Sequence, residues 1–213
     1  MCILIPKETA FVANTFHRLS ALAGLAAPMS ATPASGIRLQ LRHPLVMLNL
    51  RGTADAAFYA AVRDVCSCEL PLASNSSSES PAGRILKLGP NEWLLVTRPE
   101  SPWSENLAIP GATLTDVSHA RVAIGVGGNN SRNMLAKGCA IDLHPREFPP
   151  GSCVQTNFAK IGVILHKQQH ENDFELYVAR SFTGSFWHWL TQAANEYGYH
   201  VLEPIGFNNM PPW

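Results

Sequence analysis

Hydrophobic and polar residues follow nearly the same order twice along the chain, starting near residue 37. In the first half, the apolar run "LVMLNLRG" (45–52) predicts a strand that ends at a glycine. The segment "TADAAFYAAVRDVC" (53–66) predicts a helix that Thr53 or Asp55 can cap. The apolar residues at helical spacing in this segment are Phe58, Ala61, Val62 and Val65.

The first half continues with a polar segment and a hairpin. The stretch "SNSSSESPAG" (74–83) is low in complexity and predicts a mobile loop. "RILKL" and "WLLVT" flank the turn residues "GPNE" and predict two paired strands. Residues 98–111 contain three prolines and leave room for one short turn at most, so "ATLTDV" would close this half as a strand.

The second half repeats this course. "HARVAIGVGG" (119–128) predicts a strand, "NNSRNMLAKG" (129–138) a short helix, and "AKIGVILHK" with "DFELYVA" a second hairpin. "SFTGSFWHWLTQAANEYG" (181–198) predicts the closing helix. Its apolar stripe is Phe182, Phe186, Trp189, Leu190, Ala193 and Tyr197.

The repeated order predicts an α+β fold made of two split-βαβ, ferredoxin-like halves with mainly antiparallel sheets. We expect an N-terminal arm over 1–36, a first α+β half over 37–118, a second α+β half over 119–205 and a C-terminal tail over 206–213.

Composition argues against several classes of partner. Lys and Arg number 16, as do Asp and Glu, so the balance argues against a nucleic-acid partner. The five cysteines are an odd, unevenly spread set, typical of reduced thiols in a cytoplasmic protein. No apolar run approaches the roughly 20 residues of a membrane span, so we expect no membrane partner.

The segment "KGCAIDLHPREFPPGSCVQT" (137–156) concentrates chemically interesting side chains. Cys139, His144 and Cys153 could supply three metal ligands, but zinc sites favour close pairs, and the one close cysteine pair is Cys66 with Cys68. Cys139 could be a nucleophile, but it follows a helix C-terminus, whose negative dipole would raise its pKa. We therefore predict no metal ligand and no catalytic residue here.

Two other motifs favour structural roles. "GVGGNN" follows a strand and precedes a helix, but it fails the G-x-G-x-x-G pattern at Asn130. In "TDVSHAR", alternation along a strand places Asp116 and Ser118 on one face and His119 on the other, which separates any Asp/His couple. The sequence thus predicts no cofactor-binding residue, and hydrogen-bonding roles for Asp116 and Ser118.

The remaining candidates are contact residues. Three prolines stiffen "HPREFPPG" (144–151), which presents His144, Arg146 and Phe148. This loop either docks a partner or packs back on its own core through Phe148. Trp103 is a candidate interface anchor, because Trp and Arg dominate interface energetics. His119 and Arg121 are candidates for touching a partner or a cofactor that a partner holds.

An ordered series of motifs resembles the gamma subunits of heterotetrameric sarcosine oxidases. The motifs are "ALAGLA", "LNLRG", "LGPNEWLLV", "DVSHARVAI", "LAKGCAIDLHPREFPPGSCVQT" and "FELYVARSF". They run from about residue 19 to the last helix, and the long cysteine- and proline-containing motif is the most distinctive of them.

The resemblance implies a cytoplasmic enzyme that oxidatively demethylates sarcosine to glycine and produces hydrogen peroxide. The one-carbon unit would leave as formaldehyde or as 5,10-methylenetetrahydrofolate. It also implies that FAD, FMN, NAD and tetrahydrofolate lie on the partner alpha and beta subunits, and zinc on a delta subunit. The gamma subunit is expected to share a folate-binding, aminomethyltransferase-like fold and to act without catalysing the reaction.

An alternative reading is an autonomous tetrahydrofolate-binding protein that transfers one-carbon units on the same fold. Such a protein needs an acidic residue to hold the pterin ring nitrogens, and Asp116 and Glu92 are the candidates.

Overall fold

The computed structural model of the chain describes residues 20–28, 36–53, 55–103 and 107–205. Its strands and helices, in chain order, are β1 (Ile37–Arg42), β2 (Val46–Gly52), α1 (Ala56–Cys66), β3 (Ser77–Ser80), β4 (Gly83–Gly89), β5 (Glu92–Thr97), β6 (Ala112–Asp116), β7 (Arg121–Gly127), α2 (Ser131–Ala136), β8 (Cys153–Phe158), β9 (Ile161–Lys167), β10 (Phe174–Ala179), α3 (Thr183–Ala194) and β11 (Tyr199–Ile205).

Two sheets face each other, and helices cover their outer faces. Apolar residues of α1 pack on the five-stranded sheet together with Trp93 and Trp103. Residues of α2 and α3 pack on the six-stranded sheet. A third apolar cluster joins the inner faces of both sheets, with Met47 and Leu94 on one side and Ile164 and Tyr177 on the other. This layering of helices outside two mainly antiparallel sheets confirms the predicted α+β class.

The five-stranded sheet has the order β3-β4-β5-β2-β6, with every neighbouring pair antiparallel. Its last four strands follow the split-βαβ order with α1 as the crossover helix. Asp55 caps α1, because its Oδ1 accepts a 2.8 Å hydrogen bond from the Phe58 amide. One prediction needs correction: Ser77–Ser80, inside the supposed loop 74–83, form the edge strand β3. Polar residues suit an edge strand that has one paired side.

The six-stranded sheet has the order β11-β1-β7-β10-β9-β8. Strand β1 lies between β7, to which it is antiparallel, and β11, to which it is parallel. Residues 37–42, which the predicted boundary at 118 places in the first half, therefore pair with strands of the second. The edge strand β8 was missed, because no strand was predicted between the loop 144–151 and the hairpin that begins at 159.

The predicted apolar faces of the helices are partly wrong. In α1, Phe58, Val62 and Cys66 are buried at steps of four residues, whereas Val65 is 40% exposed beside this stripe. Phe182 is 54% exposed, because it belongs to a 3₁₀ turn before α3 and does not share the register of that helix. The helix itself buries Phe186, Trp187, Leu190 and Ala194.

Most of the predicted arm and all of the tail 206–213 lie outside the described residues. Within the arm, residues 20–28 are described, and Leu22 and Ala26 are buried in the apolar cluster of α2 and α3. No helix in the described part of the chain is long and apolar enough to cross a membrane.

Candidate partner-contact site

The loop between α2 and β8 has a defined shape. Asp142 Oδ1 accepts a 2.8 Å hydrogen bond from the His144 amide, and the His144 carbonyl accepts from the amides of Glu147 and Phe148. The Arg146 amide donates to His144 Nδ1 at 3.3 Å. These local bonds hold the side chains of His144 and Arg146 at an exposed position.

Phe148 and Trp103 do not belong to this exposed set, which corrects their assignment as contact residues. Phe148 is 4% exposed and packs in the apolar cluster under α2 and α3, so it anchors the loop to the core. Trp103 is 1% exposed, and its indole N–H donates a 3.2 Å hydrogen bond to the Cys66 carbonyl. Side chains buried to this degree in their own chain leave almost no surface for a partner.

His119 and Arg121 lie at the turn from β6 into β7. Asp116 Oδ1 accepts a 2.8 Å hydrogen bond from the Ser118 amide, and Ser118 Oγ accepts one of 2.8 Å from the Met47 amide. The predicted hydrogen-bonding roles of Asp116 and Ser118 are thus confirmed. His119 is exposed and Arg121 is half-buried. They lie in a different segment from His144 and Arg146, and no hydrogen bond or ion pair within the described ranges joins the two pairs.

Glu92 occupies a polar cluster at the start of β5. Its Oε1 accepts hydrogen bonds from Asn49 Nδ2 at 2.7 Å and from an Arg51 guanidinium nitrogen at 3.0 Å. The Asn49 hydrogen bond, helped by Arg51 and Arg121, lowers the pKa of the Glu92 carboxyl. Asp116, the other acidic candidate for binding a pterin, already accepts a hydrogen bond from the Ser118 amide.

A buried ionic network crosses between the two sheets. Arg84 on β4 donates to Glu175 Oε2 on β10, and the Tyr177 hydroxyl donates to the same oxygen at 2.5 Å. The other oxygen, Glu175 Oε1, lies 3.4 Å from Arg42 Nε on β1. Burial raises the pKa of the Tyr177 hydroxyl well above its ordinary value, and the Glu175 charge adds to this shift. Burial lowers the pKa of Arg84, but Glu175, Tyr177 and Glu79 together raise it by more, so the net shift is upward.

His166 on β9 belongs to this network as a neutral ring. Its Nε2 lies 3.0 Å from Ser77 Oγ, which itself donates to the Gly151 carbonyl at 2.8 Å. Its Nδ1 lies 3.4 Å from a donor nitrogen of Arg84. These partners assign the proton to Nε2 and leave Nδ1 as an acceptor. Burial, together with the charges of Arg84 and Lys167, lowers the pKa of His166 well below its usual value.

Glu79 on β3 completes the network. Its Oε1 lies 3.6 Å from Arg84 Nε and 3.7 Å from His166 Nε2. Burial raises the pKa of the Glu79 carboxyl, even though Arg84 opposes this shift. The network was missed from the sequence, although one signal was present: Arg84, His166 and Glu175 interrupt otherwise apolar strand segments.

The four cysteines in the described ranges, Cys66, Cys68, Cys139 and Cys153, are free thiols. Burial raises the pKa of the Cys66 and Cys153 thiols to about 12, which suppresses the reactive thiolate. Cys139 is half-buried and bridges to Phe158 through its backbone. Among the described residues, no group of three or more histidine, cysteine or acidic side chains could hold a metal ion.

The turn "GVGGNN" packs against and hydrogen-bonds to the backbone of Gly36. Gly128 has a φ of +107°, and a Cβ there would overlap the Gly36 carbonyl. The amide of Asn130 donates to that same carbonyl at 3.3 Å, and the amide of Ser131 donates to the Gly128 carbonyl at 2.9 Å. These amides are therefore occupied in a strand-to-helix turn and do not form a phosphate cradle.

Comparisons with known proteins agree with this architecture. Residues 51–196 match the family described as "Sarcosine oxidase, gamma subunit family". The chain is 32% identical to the sarcosine oxidase subunit gamma of Corynebacterium sp. (strain U-96) over 193 residues, which cover 86% of this chain and 93% of the relative. This chain belongs to the sarcosine oxidase gamma subunit family.

Solved structures support the membership in the gamma subunit family. A chain of the heterotetrameric sarcosine oxidase from Corynebacterium sp. U-96, in complex with pyrrole 2-carboxylate, aligns with a TM-score of 0.74 and 27% identity, over 84% of this chain and 96% of that one. The glycine cleavage system aminomethyltransferase T from Bartonella henselae aligns with a TM-score of 0.54 and 13% identity, over 73% and 45%. The second match shows the fold alone, and it confirms the predicted folate-binding-like class.

Proposed function

We propose that the chain is the gamma subunit of a heterotetrameric sarcosine oxidase and acts without catalysing the reaction itself. In this role it supports the oxidative demethylation of sarcosine to glycine, with hydrogen peroxide and formaldehyde or 5,10-methylenetetrahydrofolate as the other products. The observation that carries the proposal is the match to a gamma subunit over nearly the full length of both chains.

The chemistry of the described residues supports a structural role. The buried thiols have raised pKa values, and the acidic candidates Glu92 and Asp116 are engaged by neighbouring groups. We place FAD, FMN, NAD and tetrahydrofolate on the alpha and beta subunits, with a delta subunit completing the assembly in the cytoplasm. The gamma chain would contact these subunits through His119, Arg121, His144 and Arg146.

Affinity purification of the tagged chain from its native host tests the proposal. We expect flavin-containing polypeptides to co-purify, with sarcosine-dependent production of hydrogen peroxide by the complex. The chain expressed alone should be poorly soluble and should not oxidise sarcosine. A stable, monodisperse monomer that recovers no flavoprotein from the host would contradict the proposal.

Titration of the isolated chain with tetrahydrofolate separates the autonomous alternative from this role. Binding at micromolar concentration, lost in a Glu92→Gln or Asp116→Asn variant, would favour the one-carbon-transfer protein. We expect no such binding, because both carboxylates already accept hydrogen bonds within the chain.

A further inference from the structure

Arg121 lies where two surface depressions meet. It is the first residue of β7, and its side chain is half-buried. On one side it lines a small cleft with Met47 and Ser118. On the other side it lines a groove with Gln155 and Asn157 of the edge strand β8. The larger of the two, the groove beside β8, has room for an incoming group to reach this side chain.

The Arg121 guanidinium lacks an acceptor within the described chain. No hydrogen bond or ion pair in the part of the structure that is described involves its side chain. The influence of Glu92 on it is purely electrostatic and opposes the lowering of the Arg121 pKa by burial. The Glu92 oxygen Oε1 is taken by Asn49 and Arg51. Arg121 therefore loses hydration without gaining a full partner.

Five other arginines make ion pairs among the described residues, namely Arg38, Arg42, Arg51, Arg63 and Arg84. Arg38 pairs with Asp173 at 3.1 Å, and Arg51 with Glu92 at 3.0 Å, although both arginines are mostly exposed. The more buried Arg42 lies 3.4 Å from Glu175. The Arg121 guanidinium keeps contact with solvent, and its five donors are left available to an incoming anion by the described part of the chain.

The surroundings of Arg121 suit a carboxylate from another protein chain. The groove wall on β8 is polar but uncharged, with Gln155 Nε2 held at 2.9 Å by the Leu88 carbonyl. Neutral polar walls exclude water around a charge pair without competing for the anion. A guanidinium binds a carboxylate with two parallel hydrogen bonds, which gives both energy and orientation.

We infer that Arg121 binds a carboxylate side chain, aspartate or glutamate, of a partner subunit at the meeting point of these two depressions. This inference rests on the proposed function as a subunit of an oligomeric oxidase. It gives Arg121, one of the predicted contact residues, an acceptor that the described part of the free chain does not supply. Glu92 has the opposite role in this arrangement, because its charge repels the incoming carboxylate.

The test uses the assembled complex, purified with the wild-type chain or with a variant. Arg121→Gln should raise the apparent Kd of the chain for the other subunits by about 30-fold or more, mainly through faster dissociation. Arg121→Lys should give an intermediate loss, because an ammonium group cannot make the paired hydrogen bonds. Glu92→Gln should assemble at least as tightly as wild type.

Controls separate the contact from general damage. Arg63→Gln, which changes an exposed arginine on α1 paired with Asp64, should leave Kd unchanged. Hydrogen exchange of the β7 amides should show that each variant is folded. If Arg121→Gln fails to fold, the Arg121→Lys variant still decides, through its own Kd.

Several outcomes would overturn the inference. Values of Kd for Arg121→Gln and Arg121→Lys within twofold of wild type would remove Arg121 from the interface and leave the proposed function intact. Unchanged assembly of Arg121→Gln, with inorganic phosphate protecting β7 in wild type only, would assign the site to a small anion. Failure of the wild-type chain to assemble with flavoprotein subunits would instead overturn the proposed function together with this contact.

Discussion

Arg84 and Glu175 are charged residues that the two facing sheets bury almost completely, at 1% and 0% exposure. Burying an isolated charge is costly, so each of these groups depends on the other and on Tyr177. Replacing a whole buried ion pair with apolar residues is often neutral, but removing one partner leaves an unpaired charge. The network therefore contributes more to the specific alignment of the two sheets than to total stability.

The Arg84→Met substitution should lower the free energy of unfolding by about 3–5 kcal/mol. The reason is that the Glu175 and Glu79 carboxylates would lose their shared cation while remaining buried. Denaturant unfolding, or hydrogen exchange of the β10 amides in the assembled complex, measures the change. Arg51→Met is the matched control: this arginine pairs with Glu92 at the surface, and its loss should cost about 0–1 kcal/mol. Equal losses in both variants would contradict the assignment.

His166 makes stability depend on pH. Its folded-state pKa lies well below 6.5, so below about pH 6.5 the unfolded chain binds a proton that the folded chain excludes. Stability should therefore fall on acidification, by up to about 1.4 kcal/mol per pH unit well below the unfolded pKa. The His166→Gln variant should lose this component of the slope between pH 7 and pH 5, as measured by denaturant unfolding.

Ser77→Ala is the control for the pH experiment. It removes the hydrogen bond to Nε2 of His166 but keeps the buried imidazole. We expect lower stability at every pH, with the wild-type slope retained. A slope in His166→Gln equal to that of wild type would show that other groups cause the acid sensitivity.

At the scale of elements, the sequence predicted the three helices and most strands, because their apolar periodicity is strong. It missed β3, since "SSES" has no apolar residue and pairs on one side only. It also missed β8, whose residues follow a proline-rich loop that hides their alternation. No strand was predicted for β1 or β11 either. Three of these four strands, β3, β8 and β11, lie at sheet edges, where the pairing of their neighbours specifies a strand more than its own residues do.

Gly138 allows α2 and α3 to approach each other. A Cβ at this position would overlap the indole of Trp189, whereas a Cβ at Gly184 in α3 would meet only Leu25 at 4.0 Å. Gly138→Ala should therefore displace Trp189 and cost about 1–3 kcal/mol. Gly184→Ala should be neutral or stabilising by up to about 1 kcal/mol, since alanine favours the helix. Thermal unfolding of the two variants side by side measures the difference, and equal shifts in Tm would contradict this packing.

At the scale of the whole molecule, the position of β1 could not be predicted. The strand at 37–42 pairs with β7 and β11, whose residues lie more than 80 positions further along the chain. Local periodicity carries no information about such distant pairing, so neighbouring segments were assigned to one half. The same limit applies to the candidate site. Exposure could be inferred for His144 and Arg146, but the burial of Trp103 depends on its packing with residues of α1, which local periodicity does not reveal.

Trp103 and Arg146 were both predicted contact residues, but the structure buries Trp103 and leaves Arg146 exposed. Trp103→Ala should cost about 3–5 kcal/mol of stability, because it empties a core position and removes the hydrogen bond to the Cys66 carbonyl. Arg146→Ala should change stability by less than about 0.5 kcal/mol, because its side chain is exposed. In the complex, however, Arg146→Ala should weaken assembly about fivefold or more. Unfolding curves and subunit affinities for both variants test this, and a stable Trp103→Ala chain with impaired assembly would reverse the assignment.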